Sequence, residues 1–163
     1  MGDTPEVEFD PDRNVAVAGG EPVVFHCHYY NTALHKAIEE GMGPEAARVL
    51  KGAAARVLER QIRAFGPDRA IVEENFRAMG FGVLELSEVH AIGGVAHVHG
   101  SHYAMGWTAL HGERKTPVCH FPAGYIQGAV SALYDIELER VAVTETRCYS
   151  TGAPDCEFLV EVR

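Results

Sequence analysis

VTETRCYSTGAPDCEFLVEV, residues 143–162, decides how this chain is read. Strands are expected over 137–149 and 156–162, and the turn-forming STGAPD between them folds the second back on the first. Glu145 and Cys148 stand three residues apart near the end of the first strand, and Cys156 opens the second, so the hairpin returns Cys156 to the side of Cys148. A third thiol, Cys119, lies upstream in TPVCHFPAGYIQG, residues 116–128. Three thiols and a carboxylate are what a closed four-coordinate zinc site needs, because borderline-soft Zn²⁺ accepts thiolate, imidazole and carboxylate donors. His120 is an alternative fourth donor to Glu145, and a set of buried thiols beside a surface glutamate is the reading without metal.

Working outward, a helix is expected from about Ala123 to Tyr134, just before this hairpin. Two-fold patterning over Gly82–Ala91 and Gly94–His102 predicts a second hairpin turning at Gly93-Gly94. Upstream the period changes. Ala47, Leu50, Ala54, Val57, Leu58 and Ile62 recur at three-to-four spacing and predict an amphipathic helix from Pro44 to about Phe65, ended by Gly66. Another starts at Pro67-Asp68 and reaches Met79, and a shorter one runs from Asn31 or Thr32 to about Glu40. Short strands are expected at 14–18 and 22–28. Helices followed by an antiparallel sheet make this an α+β fold: one compact domain over residues 14–163, with 1–13 as a flexible arm and the C-terminal hairpin pinned by zinc.

The chain's 163 residues suit one buried core rather than two. With 47% hydrophobic and 23% charged residues it has a soluble globular composition. A net charge of −9 argues against nucleic-acid or anionic-membrane partners, which reward basic patches. No apolar run reaches the roughly 20 residues of a membrane span, and the acidic N-terminus lacks a secretory core, so a cytoplasmic location is expected. Four cysteines in that compartment suggest metal or reactive chemistry before disulfides. No phosphate-binding, dinucleotide or nucleophile-elbow motif is present in the sequence.

Nine histidines form the second concentration of chemistry. His26 and His28 are two apart in an expected strand and share a face, as do His97 and His99, with His102 close behind. His35, seven residues after His28, returns to the same side if a helix continues through both. Two His-x-His strands facing one interior would form a polar ligand pocket, completed by His102, Tyr103 and Trp107. Alternatively His26, His28, His97 and His99 would ligate a second metal (iron, copper, another zinc) or a haem. Scattered structural histidines are the third reading.

The pattern Glu-x-x-Cys-x7-Cys, preceded by a Cys five residues before Gly124-Tyr125, resembles the 4-vinyl reductase domain over about residues 100–162. That family includes the sensor domains of phenol- and xylene-responsive bacterial activators and proteins assigned to bacteriochlorophyll vinyl reduction. The resemblance implies a structural zinc on Cys119, Glu145, Cys148 and Cys156, a small aromatic or planar ligand in a largely apolar cavity, and a homodimer. The apolar surface of the long helix is the expected dimer face. An activator's ATPase and DNA-binding domains cannot fit in this length, so a stand-alone binding domain is expected. A metal- or haem-dependent oxidoreductase and a tetrapyrrole or metallocofactor carrier are the alternatives. In the Ser101–Trp107 stretch this chain carries Tyr103 where the family usually has Glu, so the resemblance does not carry over the family's ligand specificity.

Overall fold

The computed structural model describes residues 7–12, 14–18, 21–23 and 27–163. Three short strands open it: β1 (Val7–Asp10), β2 (Val15–Ala18) and β3 (Glu21–Val23), in an antiparallel sheet of that order. Within the stretch expected as an arm, Val7–Asp10 pairs residue by residue with Val15–Ala18.

Helix α1 (His28–Met42) begins three residues earlier than Asn31, with Cys27 at its N-cap. His28 is therefore helical, not part of a strand. After a 3₁₀ turn at Gly43–Glu45, helix α2 (Ala46–Phe65) forms where the stripe placed it and stops at Gly66, with Ala54, Leu58 and Ile62 of that stripe buried. Helix α3 (Arg69–Ala78) is capped by Asp68, whose carboxylate accepts from the Ile71 amide at 3.1 Å.

Strands β4 (Val83–His90) and β5 (Gly93–His99) form the central hairpin. Its turn lies at Ala91-Ile92, because His90 pairs with Gly93. Gly94 sits inside the strand at φ +146°, where an added Cβ would run into the Glu88 carbonyl across a bulge. The glycines that suggested a turn serve close backbone approach instead.

Helix α4 (His102–His111) follows directly, where the two-fold pattern gave no helix. Ser101 is its cap, accepting from the Ala104 amide at 3.5 Å. Helix α5 (His120–Tyr134) begins just after Cys119. Strands β6 (Val141–Arg147) and β7 (Cys156–Val162) make the expected terminal hairpin, with 3₁₀ turns at Leu138–Arg140 and Tyr149–Thr151. The sheet order is β4-β5-β7-β6, all antiparallel, and the fold is α+β as expected. Among the described residues, no helix is long and apolar enough to cross a membrane.

Helix α5 is the centre of the core. Nearly every residue from Pro122 to Ala132 is buried, between the sheet on one side and α2 on the other. Small residues permit this: a Cβ at Gly128 would lie 2.6 Å from the Ala55 carbonyl oxygen, and one at Gly124 would lie 2.7 Å from the Ala54 Cβ. The apolar stripe of α2 (Ala46, Ala54, Ala55, Leu58, Ile62) is consumed in this contact. Of the expected stripe, Ala54, Leu58 and Ile62 are turned inward, while Val57 stays 48% exposed on the outer side of the helix. Phe76, Leu86, Ile126 and Phe158 fill the remaining interior, each contributing roughly 1.5–3 kcal/mol by burial. Tyr125 is buried with them, its hydroxyl satisfied by donating to the Val72 carbonyl at 2.8 Å.

Candidate functional site

The terminal hairpin brings its donors together as its spacing requires. Cys148 directly follows β6 at the start of the Tyr149–Thr151 turn, Cys156 opens β7, and Cys119 reaches them from the N-cap of α5. All three thiols are free and fully buried. Their sulfurs stand 3.9 Å (Cys119–Cys148), 3.6 Å (Cys119–Cys156) and 3.9 Å (Cys148–Cys156) apart. A tetrahedral ion with metal–sulfur bonds near 2.3 Å would hold sulfurs about 3.8 Å apart. Glu145 supplies the fourth donor of the cluster. Its Oε2 accepts from the Cys119 amide at 2.8 Å, while Oε1 is buried with no hydrogen-bond partner. A buried carboxylate oxygen without a partner is rare and costly, and a cation beside it removes the cost.

The electrostatics of the cluster point the same way. Burial, then the neighbouring Cys148, pushes the Glu145 carboxyl up to about 8, and burial drives the Cys119 thiol well above its ordinary value. Hydrogen bonds from Cys119 and Cys156 pull Cys148 down. One negative charge is tolerated and the others are suppressed, as four acidic donors in a dry pocket must do without a positive ion. Ser101 Oγ at 3.1 Å from Cys119 Sγ, Ser150 Oγ at 3.0 Å from Cys148 Sγ, and the Tyr149 amide donating to Cys156 at 3.4 Å orient the sulfurs from outside. The Arg114 amide donates to the Ser150 carbonyl at 2.8 Å and ties the preceding loop to the hairpin turn.

A second polar face forms where α1 crosses α4. Because α1 is continuous, His28, Thr32, His35 and Glu39 recur along one side of it. Thr32 and His35 are its buried residues, and an added Cβ at Gly106 would strike Thr32 Oγ1 and come within 2.7 Å of His28 Nε2. The rings of His28 and His102 meet edge to face at 4.0 Å. His35 lies 5.8 Å from the Tyr103 ring and 6.3 Å from the Trp107 ring, and Tyr103 stacks with Phe81 and Phe121. Of the expected pocket residues, His28, His102, Tyr103 and Trp107 are thus brought together.

His97 and His99 are not brought to them. They alternate with Ala96 and Val98, which are fully buried in the same core cluster as Tyr103 and Trp107, so both imidazoles project from the opposite face of the sheet. There their rings stack at 6.3 Å, and His99 faces Glu85 and Asp155 at 3.5 and 3.4 Å. The expected second metal on His26, His28, His97 and His99 is corrected accordingly: among the described residues these histidines form no ligand group, and His26 itself lies outside them.

The sequence reading also missed a cluster. His35, Glu39 and His120 gather at the edge of this face, held by Arg114, which donates to Glu39 Oε2 at 3.1 Å and Oε1 at 3.2 Å while its guanidinium lies 4.3 Å over the Trp107 ring. Burial, then His120, lowers His35 to about 4, so it is a neutral imidazole near pH 7. Burial opposes the Glu39 charge, but the Arg114 hydrogen bonds prevail and hold it below the usual carboxylate value.

Residues 98–162 match the family model of the 4-vinyl reductase domain, as the resemblance implies for this segment. That match spans nearly all of the chain from the end of β5 through β7 and contains all four members of the cysteine cluster. Two solved structures are similar over nearly the whole chain. The phenol-responsive sensory domain of the transcription activator PoxR, crystallised with phenol, superposes with a TM-score of 0.78 at 17% identity, covering 96% of this chain and 84% of that one. A vinyl-4-reductase family protein from Methanocaldococcus jannaschii superposes with a TM-score of 0.60 at 19% identity, covering 89% and 86%. At these identities the likeness is one of fold. No curated protein matches the sequence.

Proposed function

We propose that this chain is a zinc-stiffened binding domain for a small aromatic or otherwise planar molecule, taken up between α1 and α4. The observation that carries the reading is the pairing of two features. The fold is shared with a sensory domain solved with phenol, and the α1–α4 face presents rings with polar tips inside an apolar surround. Tyr103, Trp107 and His102 are each at most 9% exposed, and His35 is 4% exposed. Flat apolar walls from Tyr103, Phe81 and Phe121 favour stacking, and the imidazoles and the indole N–H supply the few directional groups such a site needs.

Helix α1 is the wall that admits the ligand. It buries only two residues, whereas α2 buries five, and it has no side-chain N-cap. Its displacement costs less than that of α2, which buries more of its length. The homodimer expected from the resemblance would use the outer side of the same helix, where Tyr30 and Leu34 are 58% and 45% exposed. Ligand uptake and dimer geometry would then be coupled through α1.

Zinc would be held by Cys119, Glu145, Cys148 and Cys156. Once bound, it cross-links the hairpin to the start of α5 and supplies folding free energy. Four protein donors leave no open position, so this ion has a structural role.

Trp107 is the sole tryptophan of the chain, so its fluorescence reports directly on the face. Titration with phenol and a panel of substituted monocyclic phenols is expected to give saturable quenching, lost in the His35→Ala and Tyr103→Ala variants while the tightly held ion of the cysteine cluster stays in place. No saturable change with any member of the panel, confirmed by calorimetry, would defeat the reading.

A further inference from the structure

Outside the cysteine cluster, one other group of donors among the described residues converges closely enough to hold an ion: His35, Glu39 and His120, whose ligand atoms all lie within 4.8 Å of one another. Their arrangement is poor as a hydrogen-bond network. His35 Nε2 stands 3.5 Å from Glu39 Oε1, too far for a good bond, and it is buried without a hydrogen-bond partner. His120 Nε2 stands 3.2 Å from the same oxygen, and the two imidazole rings are 5.1 Å apart between centroids. A cation with bonds near 2.1 Å to nitrogen and oxygen separates neighbouring donors by about 3.0 Å in octahedral and about 3.4 Å in tetrahedral geometry. Both edges have the length a coordination shell would give, and the His35 edge is too long for a hydrogen bond.

We infer that His35, Glu39 and His120 form a second metal site, distinct from the cysteine cluster, that takes a first-row divalent cation of the Fe²⁺, Co²⁺ or Zn²⁺ type. Two imidazoles and one carboxylate are the donor set for such ions, and soft thiophilic ions find no sulfur here. Three protein donors leave coordination positions open, unlike the four-donor cysteine site. Arg114 is the outer support, gripping Glu39 by both oxygens, as a second shell must if the carboxylate is to keep its direction. Its positive charge also weakens the site relative to the cysteine cluster, so the ion here exchanges while the other stays. The two sites share an element: Cys119 and His120 are consecutive at the start of α5, and each turns to a different ion.

The test uses the full chain, freed of loosely held metal with a weak chelator. Its residual metal is counted by elemental analysis and the protein is then titrated with Co²⁺. Residual metal plus bound cobalt should sum to two ions per chain. The exchangeable cobalt should show weak d–d bands without the strong near-ultraviolet absorption of thiolate-to-cobalt charge transfer. His35→Gln and His120→Gln should each weaken the exchangeable ion at least tenfold and leave the tightly held one in place. Wild-type protein that saturates at one ion per chain overturns the inference, and so does an exchangeable ion with thiolate absorption or one bound undiminished in both variants. If a variant loses the tight ion as well, the wild-type stoichiometry and spectrum decide alone.

Discussion

The cysteine cluster and the α1–α4 face are both buried polar constellations, but they are assembled in opposite ways. Glu145, Cys148 and Cys156 lie within one hairpin, and only Cys119 comes from elsewhere. Strand pairing alone places them, and an ion would fix them further. The face draws His28, His35 and Glu39 from α1, His102, Tyr103 and Trp107 from α4, and His120 from α5. His120 meets Glu39 across 81 positions of sequence. A site built within a hairpin is rigid and local. A site built where three helices meet depends on how firmly the outermost one is held, and can therefore open.

That contrast can be broken from either side. The largest effect is expected at the hairpin: Cys148→Ser should abolish tight metal binding and cost at least about 3 kcal/mol, a fall in Tm of roughly 10 °C, because metal affinity is folding free energy. Calorimetry of the variant against the wild type checks this, and an unchanged Tm with metal lost would show the hairpin is held by packing alone. Next in size is the core seam between α2 and α5. Gly128→Ala should cost about 1–3 kcal/mol in denaturant unfolding, since the added methyl meets backbone rather than a side chain that can turn away.

Gly106→Ala sharpens the comparison, because its methyl pushes on the Thr32 and His28 side chains of α1. It should change phenol-probe binding at Trp107 severalfold while leaving tight metal stoichiometry at its wild-type value. Parallel loss of both would mean the two regions are one cooperative unit. The smallest effect is expected from His97→Ala with His99→Ala on the outer sheet face: within about 0.5 kcal/mol in stability, as for surface sites, and no change in metal or ligand binding.

The hairpin and the helical stripes are legible in the sequence because their information is local. Spacing and turn residues place Cys156 beside Cys148 without knowledge of anything distant, and the stripe of α2 has the right period over 20 residues. The orientation of His97 and His99 is easily misread because alternation says which residues share a face, not which face is inside. The signal that settles it lies in the same strand: Ala96 and Val98 are its apolar partners, and they take the core side. Helix α4 escapes a reading by period although Ser101 stands at its start as a capping residue, because the strand pattern before it runs on into His102. The His35–Glu39–His120 cluster has only half a signal, the four-residue step on α1, and no spacing rule brings His120 to it.

The central claim is that one ion joins the terminal hairpin to the start of α5 through three sulfurs and one oxygen. X-ray absorption at the zinc edge, on protein carrying one zinc per chain, measures this most directly. The account predicts three sulfur neighbours at about 2.3 Å and one oxygen neighbour at about 2.0 Å. A shell of nitrogen and oxygen alone, or fewer than three sulfurs, would contradict it.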